Sequence, residues 1–440
     1  MNVSWWTRTA AGAVTAAALA MGCSDSDPAP GGDPGNGDCR NVEDGDRVLV
    51  RCSVQADATW SADRTWVLED LIFVENGAVL TIEPGTTILG EDRSALIVTA
   101  TGRLEASGTR TAPIVFTSSK APGTRRSGDW GGVAMLGRAP INIPSGQLEG
   151  IESSDARGQY GGDDPEHNCG TLRYARIEFA GFELSPDNEL NSLTLSGCGR
   201  GTTLEYIQTH LGDDDGIEFF GGTADLRYAV ISHVEDDGLD WDEGWSGRAQ
   251  FIVITQNAAV GDNGIEADNL GANNDALPRS NPNVWNMTMV GSGNASQVAY
   301  AMNLRRGTAG LISNAIVTGF PNGIRVNDDA TGAQVEDGAL AIRNSIIFDT
   351  GEHGTNIEGW DIDAWLADPA HENVLDADPL LADPFNYGNP GLVPASGSPA
   401  ATVGATPPDD GWFDTSATHA GAFAPGGEDW MSGWTAFPEN

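Results

Sequence analysis

Three segments decide the fold: LEYIQTHLGDDDG (204–216), LRYAVISHVEDDG (226–238) and FIVITQNAAVGDNG (251–264). Each runs as an apolar and β-branched segment, an acidic turn and a glycine. Behind each glycine stands an apolar-polar-apolar triplet: Ile217-Glu218-Phe219, Leu239-Asp240-Trp241 and Ile265-Glu266-Ala267. A fourth, Ile324-Arg325-Val326, follows Gly323, and AMNLRRGT (301–308) aligns without a gap on GIEFFGGT (216–223). Period two dominates and no 3.6-residue apolar stripe is sustained, so these segments read as strands. Strand repeats of roughly 20–30 residues predict a solenoid. A β-propeller needs blades of about 40 residues built from antiparallel strands, and hairpin signals are scarce here. The expected fold is all-β, a right-handed parallel β-helix.

Outward from that centre, short β-branched runs recur upstream at 66–74, 78–88, 95–98, 114–118 and 133–136. Downstream, Asn286, Asn314 and Asn344 stand at similar places before apolar strands. They read as a structural ladder, each amide bonding the next coil. Residues 351–440 change character, with Pro, Gly and Ala between 379 and 411 and bulky groups such as Trp412, Phe423, Trp430 and Trp434 outside any strand period. An open last coil needs cover, so 351–440 is expected to be an irregular C-terminal cap, and 61–350 the β-helix.

The N-terminus predicts export. Residues 1–10 carry Arg8 and no acid, 11–21 are small and apolar, and Gly22-Cys23 follows. That layout is a secretory signal peptide over 1–22. The ending LAMGC (19–23) resembles a lipobox, which implies lipidation of Cys23 and anchoring to the outer membrane or cell surface, with the bilayer as partner. Residues 24–38 are Gly-, Pro- and Asp-rich, so 23–60 reads as a flexible tether with an N-terminal cap. Four further cysteines in an oxidising compartment suggest two disulfides. Neighbourhood favours Cys39–Cys52 and Cys169–Cys198, while zinc at His167 and Cys169 lacks tight ligand spacing.

The formal net charge is −40, and Lys120 is the only lysine. Such a field repels nucleic acid, which is not an expected partner, and attracts cations. Acidity by itself also serves solubility.

Several stretches carry a resemblance: GDWGG (128–132), YGGDD (160–164), GTLRYARIEFAG (170–181), DDGIEFFGG (214–222) and GAFAPG (421–426). Together they are similar to secreted and lipid-anchored right-handed parallel β-helix surface proteins of Gram-negative bacteria. The resemblance implies fold and location from about residue 65 onward and names no activity.

Strand alternation then places the candidate chemistry. With Ile217, Leu239, Ile265, Met302 and Ile324 facing inward, Glu218, Asp240, Glu266, Asn303 and Arg325 form one outward column. Phe220, Asp242, Asp268, Arg305 and Asn327 form the next, and the turn acids Asp213–Asp215, Glu235–Asp237 and Asp262 border them. Carboxylates stacked about 4.8 Å apart call for a cation or a proton. The expected metal set is Glu218, Asp240, Asp242, Glu266 and Asp268, with calcium as the ion and no organic cofactor. Asp215, Asp237, Asn263 and Asn322 precede glycines and read as turn-makers. Trp241 and Trp245 are expected sugar platforms, with Asn303 and Arg325 as further ligand contacts. The leading reading is a surface protein that binds calcium or extracellular polysaccharide. The alternatives are a lyase using Arg305, Arg306 or Arg325 as base, and a hydrolase pairing Asp240 with Glu266. No nucleophile elbow, phosphate loop or zinc signature is present.

Overall fold

The computed structural model describes residues 39–185, 188–294 and 299–440. The signal peptide, Cys23 and the tether at 24–38 lie outside the described residues. From residue 39 on, the chain is a three-faced parallel β-helix. One face is a ten-stranded sheet whose neighbours all pair in parallel. Its central strands are Leu193–Ser196, Ile217–Phe220, Leu239–Asp242, Ile265–Ala267, Tyr300–Leu304 and Asn322–Val326. The other two faces share long strands, among them Thr203–His210, Asp225–Ser232, Arg248–Thr255, Asn283–Val290 and Gly310–Thr318.

Each long strand bends at one left-handed residue, so its two limbs belong to different faces. The strand Gly170–Glu178 shows this directly, since its first limb pairs with Arg103–Ser107 and its second with Ile114–Ser118. The bends are Tyr174, Tyr206, Tyr228, Phe251, Asn286, Asn314 and Asn344, with φ between 45° and 61°. This backbone costs most L-residues about 1–2 kcal/mol, and Asn tolerates it best. The aromatic members recover stability by stacking. Ring centroids are 4.3 Å apart for Tyr174–Tyr206, 4.4 Å for Tyr206–Tyr228 and 4.7 Å for Tyr228–Phe251.

Inside the coils one hydrophobic core runs from Val48 to Leu366. Each fully buried Leu, Ile or Val contributes roughly 1.5–3 kcal/mol, so the stack of inward columns dominates stability. Trp241 and Trp245 belong to this core, at 1% and 0% exposure. Trp245 stacks on Phe219 at 4.1 Å and donates to the Ala224 carbonyl, and Trp241 donates to Thr308 Oγ1. Their assignment as sugar platforms is therefore corrected. Trp241 shares the inward parity of Leu239, and alternation alone already turns it from solvent.

Both ends of the solenoid depart from the sequence boundaries. Rungs begin before residue 61, because Arg47–Val50 pairs in parallel with Thr65–Leu68 and Ala58–Trp60 with Val79–Ile82. The region 351–440 divides in two. Gly354–Thr355 adds a last rung and the helix Ile362–Leu366 plugs the core with Ile362 and Leu366. Val374–Leu375 still pairs in parallel with Ile346–Phe348, and the chain beyond it turns back along the outside of the coils. Ala405 meets Asn314, Asp414 meets Gln250, Ala436 meets Gln208, and Asn440 reaches Gly123. This strap covers the outward side of the second limbs, where Val230, Val253, Val290 and Ile316 are apolar and buried beneath it. The Asn ladder serves the strap too. Asn286 Nδ2 donates to Ala417 and His419 carbonyls and Asn314 Nδ2 to Ala405, while bonds between coils run from Gln250 Nε2 to Asn286 Oδ1 and from Asn344 Nδ2 to Glu372. A polar helix at Asp329–Glu336, capped by Asp328 Oδ1 on the Thr331 amide, carries no apolar period that would announce it. Among the described residues no helix is long and apolar enough to cross a membrane.

Cys39–Cys52 and Cys169–Cys198 are joined, with Cα separations of 5.8 and 5.9 Å.

Candidate functional site

The ten-stranded face carries the acidic column in the register that alternation requires. Glu218 pairs with Asp240, Asp240 with Glu266, Glu266 with Asn303 and Asn303 with Arg325. All five sit outward while Ile217, Leu239, Ile265, Met302 and Ile324 are fully buried. The turn that delivers each strand ends in a glycine for a steric reason. A Cβ at Gly216 would lie 2.3 Å from Ile231, at Gly238 2.6 Å from the Gly264 carbonyl, and at Gly264 2.4 Å from Met289. These glycines serve close coil packing; none of the three is left-handed.

The residues before them do two jobs. Asp215 accepts the amide of Asp237, Asp237 accepts that of Asn263, and Asn263 accepts that of Tyr300. The turn-making role expected for Asp215, Asp237 and Asn263 thus takes the form of a ladder between coils. The fourth, Asn322, falls inside the strand Asn322–Val326 and donates to the Ala299 carbonyl. Asp215 and Asp237 also project carboxylate oxygens into the column. One oxygen each from Asp215, Glu218 and Asp240 lie within 4.8 Å of one another, and so do those from Asp237, Asp240 and Glu266. Two outer groups, Asp214–Asp215–Asp236 and Asp236–Asp237–Asp262, repeat the pattern at the turn.

Electrostatics separates the column into two zones. Burial, then the neighbouring acids, push Asp215, Glu218, Asp237 and Asp240 well above the usual carboxylate range. Two unit charges 4.8 Å apart repel by roughly 3–4 kcal/mol at an effective dielectric of 20. Full ionisation of that zone therefore needs a counter-cation. Asn191 Nδ2 holds Glu218, while Asp240 Oδ1 is buried with no hydrogen-bond partner among the described residues. In the second zone arginines supply the counter-charge. Arg305 Nε is 2.9 Å from Asp268 Oδ1, its Nη2 meets Glu266, and Arg306 Nη1 is 2.7 Å from Asp268 Oδ2. Asn303 Nδ2 steadies Glu266 at 3.0 Å.

The expected metal set is thereby redistributed. Glu218, Asp240 and Glu266 come together, whereas Asp268 is clamped by two guanidinium groups and joins none of the clusters. Asp242 is also outside them; burial pushes its carboxyl up to about 7, and its Oδ1 accepts the Glu243 amide. The residues that sequence reasoning missed are Asp215 and Asp237, each present in two clusters. The signal was their identical place before glycine in consecutive repeats. Arg305, paired with Glu266 and Asp268, is held above its ordinary value once the burial penalty is offset, which removes it as a base. Arg325, the guanidinium of the first column, lies over the Tyr300 ring at 5.2 Å.

The site is thus one parallel sheet of a β-helix bearing a row of closely stacked carboxylates. Residues 52–372 match the family described as the pectate-lyase-like beta helix domain. That match spans well over half of the chain, and the chain belongs to this family. No curated protein and no solved structure matches it.

Proposed function

We propose that the acidic column binds calcium and, through it, an extracellular polysaccharide. The observation that carries this reading is the junction at Asp240. Its carboxylate belongs to two three-acid groups at once, and its Oδ1 lacks a hydrogen-bond partner among the described residues. Calcium takes six to eight oxygen ligands, more than either triad supplies. An ion held there keeps coordination positions for water or for the hydroxyl and carboxylate oxygens of a glycan. Membership in a pectate-lyase-like family supports a polysaccharide-related role.

The test is a thermal-shift and cleavage screen of the whole mature chain against acidic and neutral polysaccharides, with calcium and with chelator. Calcium-dependent stabilisation without depolymerisation supports binding. Depolymerisation favours a second reading, glycoside hydrolysis by Asp240 and Glu266. Their nearest carboxylate oxygens lie within 4.8 Å, near the roughly 5–5.5 Å of retaining pairs.

The same proposal places the protein outside the cytoplasm on a lipid at Cys23. Cys23→Ser should release it from membranes, and a variant that still sediments with them after a high-salt wash overturns the anchor.

A further inference from the structure

At the ends of the long strands Thr203–His210 and Asp225–Ser232, just before the acidic turns, two histidines lie where the strap meets the coils. His210 pairs in register with Ser232, so His233 is one residue out of line, yet the two rings are 5.6 Å apart. They are 0% and 4% exposed. The strap completes both burials. His210 Nε2 donates to the Pro438 carbonyl at 2.9 Å, and its ring meets the Phe437 edge at 5.8 Å. His233 stacks flat on Tyr387, from the segment that leads into the strap, at 3.8 Å.

We propose that His210 and His233 form an acid-released latch that holds the returning C-terminal strap against the β-helix. The strap can leave without breaking a rung, because its hydrogen bonds to the coils run mainly through side chains, such as Gln208, Gln250, Asn286 and Asn314. An imidazolium buried under it has lost its water, and two of them 5.6 Å apart repel. Detachment rehydrates both.

The surroundings favour the neutral form. On the coil side His210 faces Ser232 Oγ at 2.8 Å, and Arg176 opposes its protonation. Glu178, the nearby acid, is already engaged by Arg176 at 2.8 Å. Around His233 stand the backbone of Gln256 and Tyr387 and the ring of His210. Glu439 and Glu235 act on Tyr387. Burial depresses both imidazoles to about 4, against about 6.5 in solvent. The sign follows: attachment is favoured above about 6.5 and is lost as pH falls toward 4. Release would uncover the apolar second limbs and open the cavity of about 480 Å³ between the tyrosine stack and Trp430.

Hydrogen exchange of the full chain, corrected for intrinsic rates, tests this at about pH 7 and about pH 4.5. Strap peptides (residues 428–440) should lose protection about tenfold more than rung peptides (residues 225–232). In a His210→Gln, His233→Phe chain, which keeps a donor for Pro438 and a ring for Tyr387, the extra loss should vanish. The strap pairs Arg110–Glu428 and Arg248–Asp410 remain in that chain, so release through their carboxylates would persist and overturn the latch. Unchanged strap protection in the wild-type chain at about pH 4.5 would overturn it equally. Should the double variant misfold, an imidazole NMR titration of the wild-type chain decides. Midpoints at or above about 6.5 contradict the latch, and depressed midpoints that coincide with loss of strap signals support it.

Discussion

Asp215 Oδ1 accepts the backbone amide of Asp237, one coil away, at 2.9 Å. The contact joins the two jobs of this face. It fixes the coil spacing, and by doing so it sets successive carboxylates close enough to call for a proton or a cation between them. Asn at Asp237 keeps the acceptor and removes a charge, whereas Ala removes both. In chelator, Asp237→Asn should equal or exceed the wild-type stability. Asp237→Ala should lose about 1–3 kcal/mol, because the Asn263 amide is then left unpaired. Denaturant unfolding of the three chains reads the difference.

The apo protein should weaken as pH rises. Asp215, Glu218, Asp237 and Asp240 are raised by burial and by one another, and Asp242 titrates near 7. A carboxyl with a raised folded value contributes stability that is complete below the unfolded value of about 3.9 and is lost as pH climbs through the folded one. Melting temperature in chelator should therefore fall across pH 5–8, and excess calcium should flatten that fall. A rise across the same range in chelator would contradict the electrostatic picture.

Trp245→Ala should cost about 3–5 kcal/mol, the range for deleting a buried aromatic side chain. Arg325→Ala, at a partly exposed outward position, should cost under about 1 kcal/mol. Added oligosaccharide should leave the environment of Trp241 and Trp245 unchanged, since both are sealed inside the coil. Tryptophan fluorescence of single-tryptophan variants measures this.

The bridge Cys169–Cys198 closes a loop with a sequence separation of 29. Chain entropy assigns such a loop about 3–4 kcal/mol. The double change Cys169→Ala, Cys198→Ala should lower unfolding free energy by that order, and a loss below about 1 kcal/mol would mean that the coil packing around Leu136 and Met135 already holds the segment.

Much of the coil was legible because stacking imposes one register. Once Ile217, Leu239 and Ile265 occupy the same inward place, Glu218, Asp240 and Glu266 have no freedom to differ. The same rule turns Trp241 inward, against its expected place as a sugar platform. What alternation cannot show is contact between segments far apart in sequence. The strap over Val230 and Val253 is of that kind, although the unbroken apolar run AVI (229–231) and its partner IVI (252–254) indicate strands covered on both sides. The clamp of Arg305 and Arg306 on Asp268 was hidden for a different reason. Coil registry sets Arg305 opposite Asp268, but the choice between arginine and metal is a matter of side-chain reach. The turn acids Asp215 and Asp237 were assigned one role where the geometry gives them two.

The most direct measurement is a calcium titration by calorimetry on the wild-type mature chain and on the triple variant Glu218→Gln, Asp240→Asn, Glu266→Gln. These positions face outward, so the variant should keep its fold, which circular dichroism checks. Saturable calcium binding in the wild type, lost in the variant together with the calcium-induced rise in melting temperature, is the predicted result. An equal calcium response in the two chains, or none in either, would mean that the column is a protonated or solvated face and would contradict the account.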